Sequence, residues 1–459
     1  MSEEATLDEF TEQHQSDSTD SGELREDGFL TLPRDWSISK LAEVAKDGGL
    51  VDGDWIESDD MDEDGRTQLV QLGHIGQGQF KSEPNRFITD EFAEEENCTM
   101  LSEDDLLISR MQEPILRSCL LPSFERDSVM AVDIARLQET EDWNRQFLKH
   151  VLNSRPIWKQ GIAWASGTTR KRISRKNMEK LRIPAPSLSE QRKIATVLYT
   201  VDQAIEKTEK ITQQAGRVRV ATEQELFQGG YLHHDQIEER RLVEYPTDWN
   251  FEQLSDHTVE SAFGPRYDSE KYDEGGRIAT LRTTDLDRRG NITHETMPRA
   301  DLDIREFDDH LLEEGDLIVS RSGAYSGITT TWDTYEIPTI PGAYMIRFRL
   351  KNSLNPEYLR YYFNSNVGRS RIDRRKKGSG QQNIAGSDLL NMRIPIPSKK
   401  EQEKIVEVID SIESQILFNK NYRDRLERLK QGLMQDLLSG TVRTTDTNIE
   451  VPEEIAQYG

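Results

Sequence analysis

Two clusters of arginine and lysine in this chain could bind the phosphates of a nucleic acid. In the first half of the chain the cluster is Arg170, Lys171, Arg172, Arg175 and Lys176. At a corresponding place in the second half the cluster is Arg369, Arg371, Arg374, Arg375, Lys376 and Lys377. Cationic side chains neutralise phosphates, and such contacts position a protein on a duplex without reading its sequence. A solvated surface is the ordinary alternative for a run of charges.

Other polar side chains could read bases. In the major groove arginine pairs with guanine, and glutamine or asparagine pairs with adenine. Gln381, Gln382 and Asn383 follow the second cluster and suit this role. Arg110 and Arg321 are further candidates because each ends a predicted strand directly after a serine. Structural ion pairs with nearby carboxylates explain these two arginines equally well. A groove or the core could hold the aromatic residues of the second half, which are Tyr325, Trp332 and Tyr344.

The sequence predicts neither catalysis nor a metal site. It contains no Asn-Pro-Pro-Tyr methyltransferase motif, no Gly-x-Gly cofactor loop in a strand-turn-helix context and no Gly-x-x-x-x-Gly-Lys-Ser/Thr phosphate loop. The pair His233 and His234 has no cysteine or carboxylate at ligand spacing. Cys98 and Cys119 are the only cysteines, which excludes a disulfide framework and favours the reducing cytoplasm. The chain is therefore expected to bind no cofactor itself.

The composition is strongly acidic. Asp and Glu number 84 against 59 Lys and Arg, so the formal net charge is −25. Taken alone, this charge argues against a polyanionic partner. Because the acidic residues are scattered through every segment, the pattern favours adaptation to high salt, where a Debye length of about 3 Å confines the repulsion. An ordinary acidic protein is the alternative. Without an apolar run of about 18 residues, no membrane span is expected.

The chain is duplicated. Residues 181–198 and 392–409 match at 10 of 18 positions without a gap, where typical residue frequencies would give about one match. The same offset of 211 residues pairs Leu106–Arg110 with Leu317–Arg321. This period is much longer than that of solenoid repeats, so it predicts two related domains in tandem. Two similar surfaces imply a two-part target or two equivalent partners.

The pattern of apolar residues divides the chain into six segments. Residues 1–28 are acidic and Ser-rich, which predicts a disordered tail. Residues 29–186 and 231–397 combine short apolar runs with one helical stretch each, which predicts a mixed α/β (α+β) fold for both modules. Long helices are predicted over 187–230 and 398–440, followed by a tail over 441–459. The clearest short elements are strands within 67–75, 106–110 and 128–134 and helices within 142–153 and 356–364.

Each long helix carries a start signal and an apolar stripe. Ser187 and Ser398 lie three residues before a glutamate, which is the spacing of a capping box. The stripe of the first helix is Ile194, Leu198, Val201, Ile205 and Ile211. The stripe of the second is Ile405, Ile409, Ile412, Ile416, Tyr422, Leu426, Leu429, Leu433 and Leu437. About 40 residues make a rod of roughly 60 Å, and mutual packing as an antiparallel coiled coil would bury both stripes.

This order of motifs resembles the specificity subunit of type I restriction-modification systems. In each half Pro-x-Asp-Trp opens a module, and Ile-Pro-x-Pro followed by Glu-Gln-x-x-Ile starts a long helix. Gly315–Arg321 and Gly378–Ile384 also resemble that family, and the resemblance covers residues 30 to 440. The first module departs from the pattern, since Asp104-Asp105 replaces Gly-Asp and residues 167–173 lack the glutamines. The resemblance therefore implies base reading more directly for the second module than for the first.

The resemblance implies a reader of double-stranded DNA that has no catalysis of its own. Each module would be a target-recognition domain for one half of a bipartite gapped site, with half-sites about one helical turn apart. The helices would set the spacing and dock two modification (methyltransferase) subunits. Those partners would use S-adenosylmethionine, and motor-nuclease restriction subunits, where present, would use ATP and Mg. Two rivals stay open: a duplicated protein-interaction scaffold, and a standalone enzyme with an unrecognised active site.

Overall fold

The chain folds into two compact units that each contain one module. A computed structural model describes residues 24–111, 113–168, 170–240, 243–377 and 382–457. The first unit comprises residues up to Lys207 together with Arg423–Gly459, and the second comprises Thr208–Tyr422. Both predicted long helices are present, and each contributes one part to each unit. The predicted tandem α/β architecture is confirmed.

The first module alternates short strands and short helices. Its strands are β1 (Leu24–Asp27), β2 (Leu30–Pro33), β3 (Ser37–Lys40), β4 (Ala45–Asp52), β5 (Thr67–Val70), β6 (Phe87–Ile88), β7 (Leu106–Ser109), β8 (Ser118–Leu120), β9 (Ser128–Met130), β10 (Ile134–Glu139) and β11 (Arg182–Ala185). Its helices are α1 (Leu41–Val44), α2 (Asp90–Glu95), α3 (Arg145–Leu152), α4 (Arg155–Trp164) and α5 (Arg175–Met178). The long helix α6 (Leu188–Gly229) follows.

The second module repeats this order. Its strands are β12 (Ile237–Arg240), β13 (Val243–Pro246), β14 (Asn250–Gln253), β15 (Thr258–Phe263), β16 (Ile278–Leu281), β17 (Arg299–Ala300), β18 (Leu317–Ser320), β19 (Thr329–Thr331), β20 (Thr339–Pro341), β21 (Met345–Leu350) and β22 (Arg393–Ile396). Its helices are α7 (Pro356–Asn364), α8 (Asn366–Asp373) and α9 (Gly386–Leu390). The long helix α10 (Lys399–Leu438) and the short α11 (Glu453–Ala456) complete the chain.

The two modules are built on the same sheets. An antiparallel sheet has the order β4-β10-β7-β8 in one and β15-β21-β18-β19 in the other. A second sheet has the order β6-β5-β9 or β17-β16-β20 and contains one parallel pair. The inner strands β7 (LLIS) and β18 (LIVS) are buried at all four positions, and burial on both faces accounts for their unbroken apolar sequence. The duplication seen in the sequence is thus a duplication of topology.

Several predicted boundaries shift. The helix predicted within 142–153 begins at Arg145 because the Asn144 side chain accepts a hydrogen bond from the Phe147 N–H and caps it. The helix predicted within 356–364 has those bounds. The prediction of disorder over 1–28 is wrong for Leu24–Asp27, which pairs with Leu30–Pro33 as a β-hairpin. Residues 1–23 lie outside the described residues.

The turn before the inner strand keeps its shape where the two modules differ in sequence. Gly315 has φ +86° and Asp104, at the same place in the first module, has φ +65°. Both angles lie in the left-handed region, which glycine adopts freely and aspartate tolerates better than most residues. The departure of the first module from the Gly-Asp pattern therefore leaves the fold of this turn unchanged.

The start of each long helix is a buried polar junction. Ser187 and Ser398 accept hydrogen bonds from the backbone N–H of Glu190 and Glu401, as predicted for capping residues. The other half of the predicted capping box is wrong. Both glutamate side chains are buried and accept the indole N–H of a tryptophan, with distances of 3.1 Å from Trp36 to Glu190 and 3.0 Å from Trp249 to Glu401.

The glutamine after each glutamate ties the long helix to a short helix of its module. The Gln191 side chain accepts from the Asn144 N–H at 2.9 Å and donates to the Pro186 carbonyl at 3.1 Å. The Gln402 side chain makes the same two contacts, accepting from Asn355 at 2.7 Å and donating to Pro397 at 3.0 Å. The repeated Glu-Gln pair is therefore structural in both modules.

The two long helices pack antiparallel. Within the first unit Asp202 of α6 pairs with Lys430 of α10 at 2.6 Å. Within the second unit Arg219 of α6 pairs with Glu413 of α10 at 3.4 Å. The residue number rises along one helix as it falls by the same amount along the other, as an antiparallel pair requires. The predicted stripes are largely buried, but Ile211, Tyr422 and Leu429 are exposed and do not belong to the seam.

The second oxygen of each buried glutamate has a different partner in each unit. In the first unit Arg443, just after α10, donates to Glu190 at 2.8 Å and to Asp35 at 2.8 Å. In the second unit His234, just after α6, lies 2.9 Å from Glu401 and 3.3 Å from Asp248. Burial lowers the pKa of His234, but the hydrogen bonds to these two carboxylates outweigh it and leave the pKa above its ordinary 6.5.

We expect the second unit to lose stability as the pH rises. Because the pKa of His234 is raised in the folded state, its stabilising contribution is complete below pH 6.5 and is lost as the pH passes through the raised value. His234→Arg reproduces the cation of the first unit and should remove this loss. Thermal unfolding of both proteins between about pH 6 and pH 9 would measure it as a difference of a few degrees.

His233→Arg is the matched control, since His233 is almost fully exposed and its replacement should leave the pH profile of the wild type. An identical pH dependence in the His234→Arg protein would contradict the assignment.

Candidate nucleic-acid interface

A short hairpin stands beside the inner strand of each module. In the first module the backbone groups of Ser166 and Arg172 exchange two hydrogen bonds of 2.9 Å. In the second module Lys377 and Asn383 exchange two hydrogen bonds of 2.9 and 3.0 Å. These residue pairs are related by the same 211-residue offset as the rest of the duplication. The two hairpins therefore occupy the same place in the two modules.

Each hairpin is joined to the arginine that ends the inner strand. The Ile173 N–H donates to the Arg110 carbonyl at 2.9 Å, and the Ile384 N–H donates to the Arg321 carbonyl at 2.9 Å. The structure thus brings Arg110 next to the first predicted cluster. It also brings Arg321 next to Asn383 and to the exposed Gln382. Gln381 lies outside the described residues.

The two basic clusters do not occupy equivalent places, so the correspondence predicted between them is wrong. The first cluster begins on the returning strand of its hairpin and continues into α5. The second lies on α8, at its end and on the outgoing strand of its hairpin. The residues at the positions of Arg170, Lys171 and Arg172 in the second module are Gln381, Gln382 and Asn383. The two clusters lie at similar positions along their halves of the sequence, and this similarity hid the fact that they belong to different secondary-structure elements.

Arg110 is buried at the end of the inner strand β7. Its guanidinium forms an ion pair of 2.9 Å with Asp52 and donates to the Val132 carbonyl at 3.2 Å. Burial lowers the pKa of Arg110, and the nearby Asp52 carboxylate counteracts part of that effect. Of the two alternatives left open by the sequence, these contacts favour the structural ion pair.

The other cations of the first cluster lie nearer the surface and are largely matched by acids. Their ion pairs are Lys171 with Glu113 at 3.0 Å, Arg172 with Asp133 at 3.4 Å and Arg175 with Glu179 at 3.7 Å. Arg170 and Lys176 are exposed. Nearby carboxylates reduce the attraction that this cluster can offer to phosphate.

The second cluster contains buried and exposed cations. Arg371 is 5% exposed, lies over the Phe251 ring and donates to the Tyr362 hydroxyl at 2.8 Å and to the Arg393 carbonyl. It therefore ties α8 to β22.

The other cations of the second cluster lie nearer the surface. Arg374 and Lys377 are exposed, and the Lys377 side chain retains 77% of its surface while pairing with Asp388. The remaining contacts are Arg369 to the Ser326 carbonyl, Arg375 to the Arg371 carbonyl and Lys376 to Asp373 at 2.5 Å.

Arg321 is held by an aromatic ring. Its guanidinium carbon lies 4.8 Å from the centre of the Phe263 ring, and Phe263 is 48% exposed. The Nε atom of Arg321 is buried and has no hydrogen-bond partner among the described residues. Tyr344, whose carbonyl accepts from the Arg321 N–H at 2.8 Å, is 56% exposed. Of the other aromatic candidates, Trp332 is buried and Tyr325 packs against the same core cluster.

The described residues form no group of three His, Cys, Asp or Glu side chains that could hold a metal ion. Within the same residues, every helix is too short or too polar to cross a membrane.

The comparison with known proteins identifies the family. Residues 33–215 and 246–428 each match the type I restriction modification DNA specificity domain. Since these two stretches make up most of the chain, the protein belongs to that family. It is 25% identical over 327 residues to the specificity subunit of type I restriction enzyme EcoKI from Escherichia coli K12, a match that covers 68% of each chain.

Another relative and two solved structures agree with this assignment. The MjaVIII specificity subunit of Methanocaldococcus jannaschii is 25% identical over 288 residues, covering 61% of this chain and 67% of that one. A chain from a structural study of type I R-M complex assembly superposes with a TM-score of 0.55 at 17% identity, covering 90% of this chain and 99% of that one. The type I S subunit from M. genitalium gives a TM-score of 0.53 at 14% identity, covering 91% and 98%. These two likenesses concern the fold.

Sequence reasoning missed the residues that hold the two strand-end arginines. Asp52 and Phe263 occupy the same position in β4 and β15, 211 residues apart. Their backbones pair with Ala135 and Ile346, which have the same offset. Extending the 211-residue offset from the repeated motifs into these two strands, whose sequences differ, would have identified both residues.

Lys377 and Arg371 give a matched test of the contact predictions. If exposed Lys377 touches phosphate, Lys377→Gln weakens binding to all duplexes equally and lowers the slope of log affinity against log salt by about one. Arg371→Gln should leave that slope unchanged and lower the unfolding temperature by a few degrees, since it removes buried hydrogen bonds. Salt titrations of duplex binding and thermal unfolding separate the two effects. An unaltered slope for Lys377→Gln would exclude it as a phosphate contact.

Proposed function

We propose that this chain is the DNA-reading subunit of a type I restriction-modification complex and that each module reads one half of a bipartite gapped site. The observation that carries this proposal is that the fold is built twice in one register, from the inner strand through the hairpin to the start of the long helix. Each module would supply one surface that binds one short DNA sequence. Membership of the DNA specificity family supports DNA as the target.

The long helices would set the gap between the half-sites and dock two methyltransferase subunits. Two features support this role. Each helix is continuous over about 40 residues, and α10 carries exposed apolar residues, Leu417 and Phe418, of the kind that partner surfaces cover. Methylation with S-adenosylmethionine, and any ATP- and Mg-dependent cleavage, would belong to partner subunits in the cytoplasm. The chain itself would bind no cofactor and catalyse nothing.

Salt adaptation is part of the same proposal. The acidic surplus would serve solvation at high salt, and short-range contacts would then carry DNA binding because long-range attraction is screened. A rise of the unfolding temperature between dilute and molar KCl would support this interpretation, whereas a constant temperature would oppose it.

Lengthening both helices should widen the gap in the recognised sequence. Four residues inserted after Lys210 and four inserted before Tyr422, positions that face each other in the observed register, add about 6 Å to each helix. This length corresponds to roughly one or two base pairs. The measurement is methylation of a random duplex library by the chain reconstituted with its methyltransferase subunits. We expect unchanged bases in both half-sites and a longer gap.

Insertion into α6 alone is the control, since it breaks the register of the Arg219 and Glu413 pair and should lower the unfolding temperature. A folded double-insertion protein that methylates the original gap would refute the spacer role. Methylation without any sequence preference by the wild-type complex would favour the protein-interaction scaffold instead.

A further inference from the structure

The reading surfaces of the two modules differ at three equivalent positions. In the first module Asp52, Glu113 and Asp133 pair with the three cations around the hairpin. The residues 211 positions later are Phe263, Ala324 and Tyr344. Each of these three acids is thus replaced by an uncharged residue in the second module. Around Asp52 and Asp133 the backbone hydrogen bonds recur in the second module, as where the N–H groups of Arg110 and Arg321 donate to the carbonyls of Asp133 and Tyr344, so these two replacements lie in the same framework.

These replacements change what the strand-end arginine can do. A guanidinium has five N–H donors in its plane, and a carboxylate takes up those donors. Arg110 is buried, its N–H groups donate to the carbonyls of Val132 and Ile173, and its guanidinium lies 2.9 Å from the Asp52 carboxylate as an ion pair. An aromatic ring contacts the face of a guanidinium and leaves the donors in its plane available. Arg321 is held in this second way by Phe263.

The environment of Arg321 suits a base edge better than a phosphate. Packing on the ring fixes the guanidinium plane in advance, and a planar pair of donors matches the O6 and N7 acceptors of guanine. Tyr344, in the turn before β21, and Gln382, next to Asn383 of the hairpin, are both exposed. Both are neutral, so they contribute no charge that would attract a backbone phosphate.

We infer that Arg321, held over the Phe263 ring, reads a guanine in the half-site bound by the second module, and that Arg110 has no such role in the first. This inference rests on the proposed function and assigns one base contact within it.

Single-residue variants of the full chain, assembled with its methyltransferase subunits, test this assignment. Competition binding would use a series of duplexes that each change one base pair of the recognised sequence. Arg321→Met removes the donors and keeps the aliphatic stem on the ring. Phe263→Asp installs the carboxylate of the first module and should draw the guanidinium into an ion pair. Arg305→Met, in an exposed turn of the same unit, removes one positive charge and is the control.

We expect the wild-type complex to prefer guanine at one position of one half-site by about 10-fold or more. Arg321→Met and Phe263→Asp should both abolish the preference at that position and retain it at all others, while Arg305→Met retains every preference. Equal weakening on all duplexes would overturn the inference in favour of a phosphate contact. An unchanged set of preferences in folded variants would overturn it as well. A wild-type complex without sequence preference would instead refute the proposed function.

Discussion

The buried Glu-Gln pair at the start of each long helix is the constraint on which the rest of the structure depends. The glutamate accepts a hydrogen bond from a tryptophan N–H at the beginning of the module. The glutamine accepts one from the backbone N–H at the start of a short helix later in the same module. Two segments of each module that are far apart in sequence are thereby bound to the first turn of its long helix. Because the groups are buried, loss of one partner would leave a polar atom unsatisfied at considerable cost. This explains why the same dipeptide stands in both halves.

That junction lets the rest of each module vary. The hairpin and the end of the inner strand keep their backbone hydrogen bonds across the duplication, while the charges differ at equivalent positions such as Asp52 and Phe263 or Lys171 and Gln382. Under the proposed function, unlike side chains on a repeated frame would let the two modules read different half-sites. The two units also use different side chains for one contact, since Arg443 and His234 each bridge the buried glutamate and the aspartate of the Pro-x-Asp-Trp motif.

Much of the fold could be predicted from the sequence because the relevant signals are local or repeated. The spacing of Ile405, Ile409 and Ile416 predicts a buried helix face, and all three are buried. Tyr422 fits the same spacing and yet is exposed, because helical periodicity does not show which neighbour covers a given turn. The sequence indicated which segments form the candidate interface, but it did not distinguish exposed contact residues from buried structural ones. Arg371 stands in a run of cations like any surface residue, and only its packing on Phe251 reveals a structural role.

The claim that this chain supplies sequence specificity is tested most directly by single-molecule sequencing of N6-methyladenine in the source genome, with and without the gene. The account predicts that deletion removes methylation from one gapped, two-part motif and that the restored gene returns it, while other methylated motifs persist. A methylome that is unchanged by deletion, in cells that express the chain and its methyltransferase, would contradict the account.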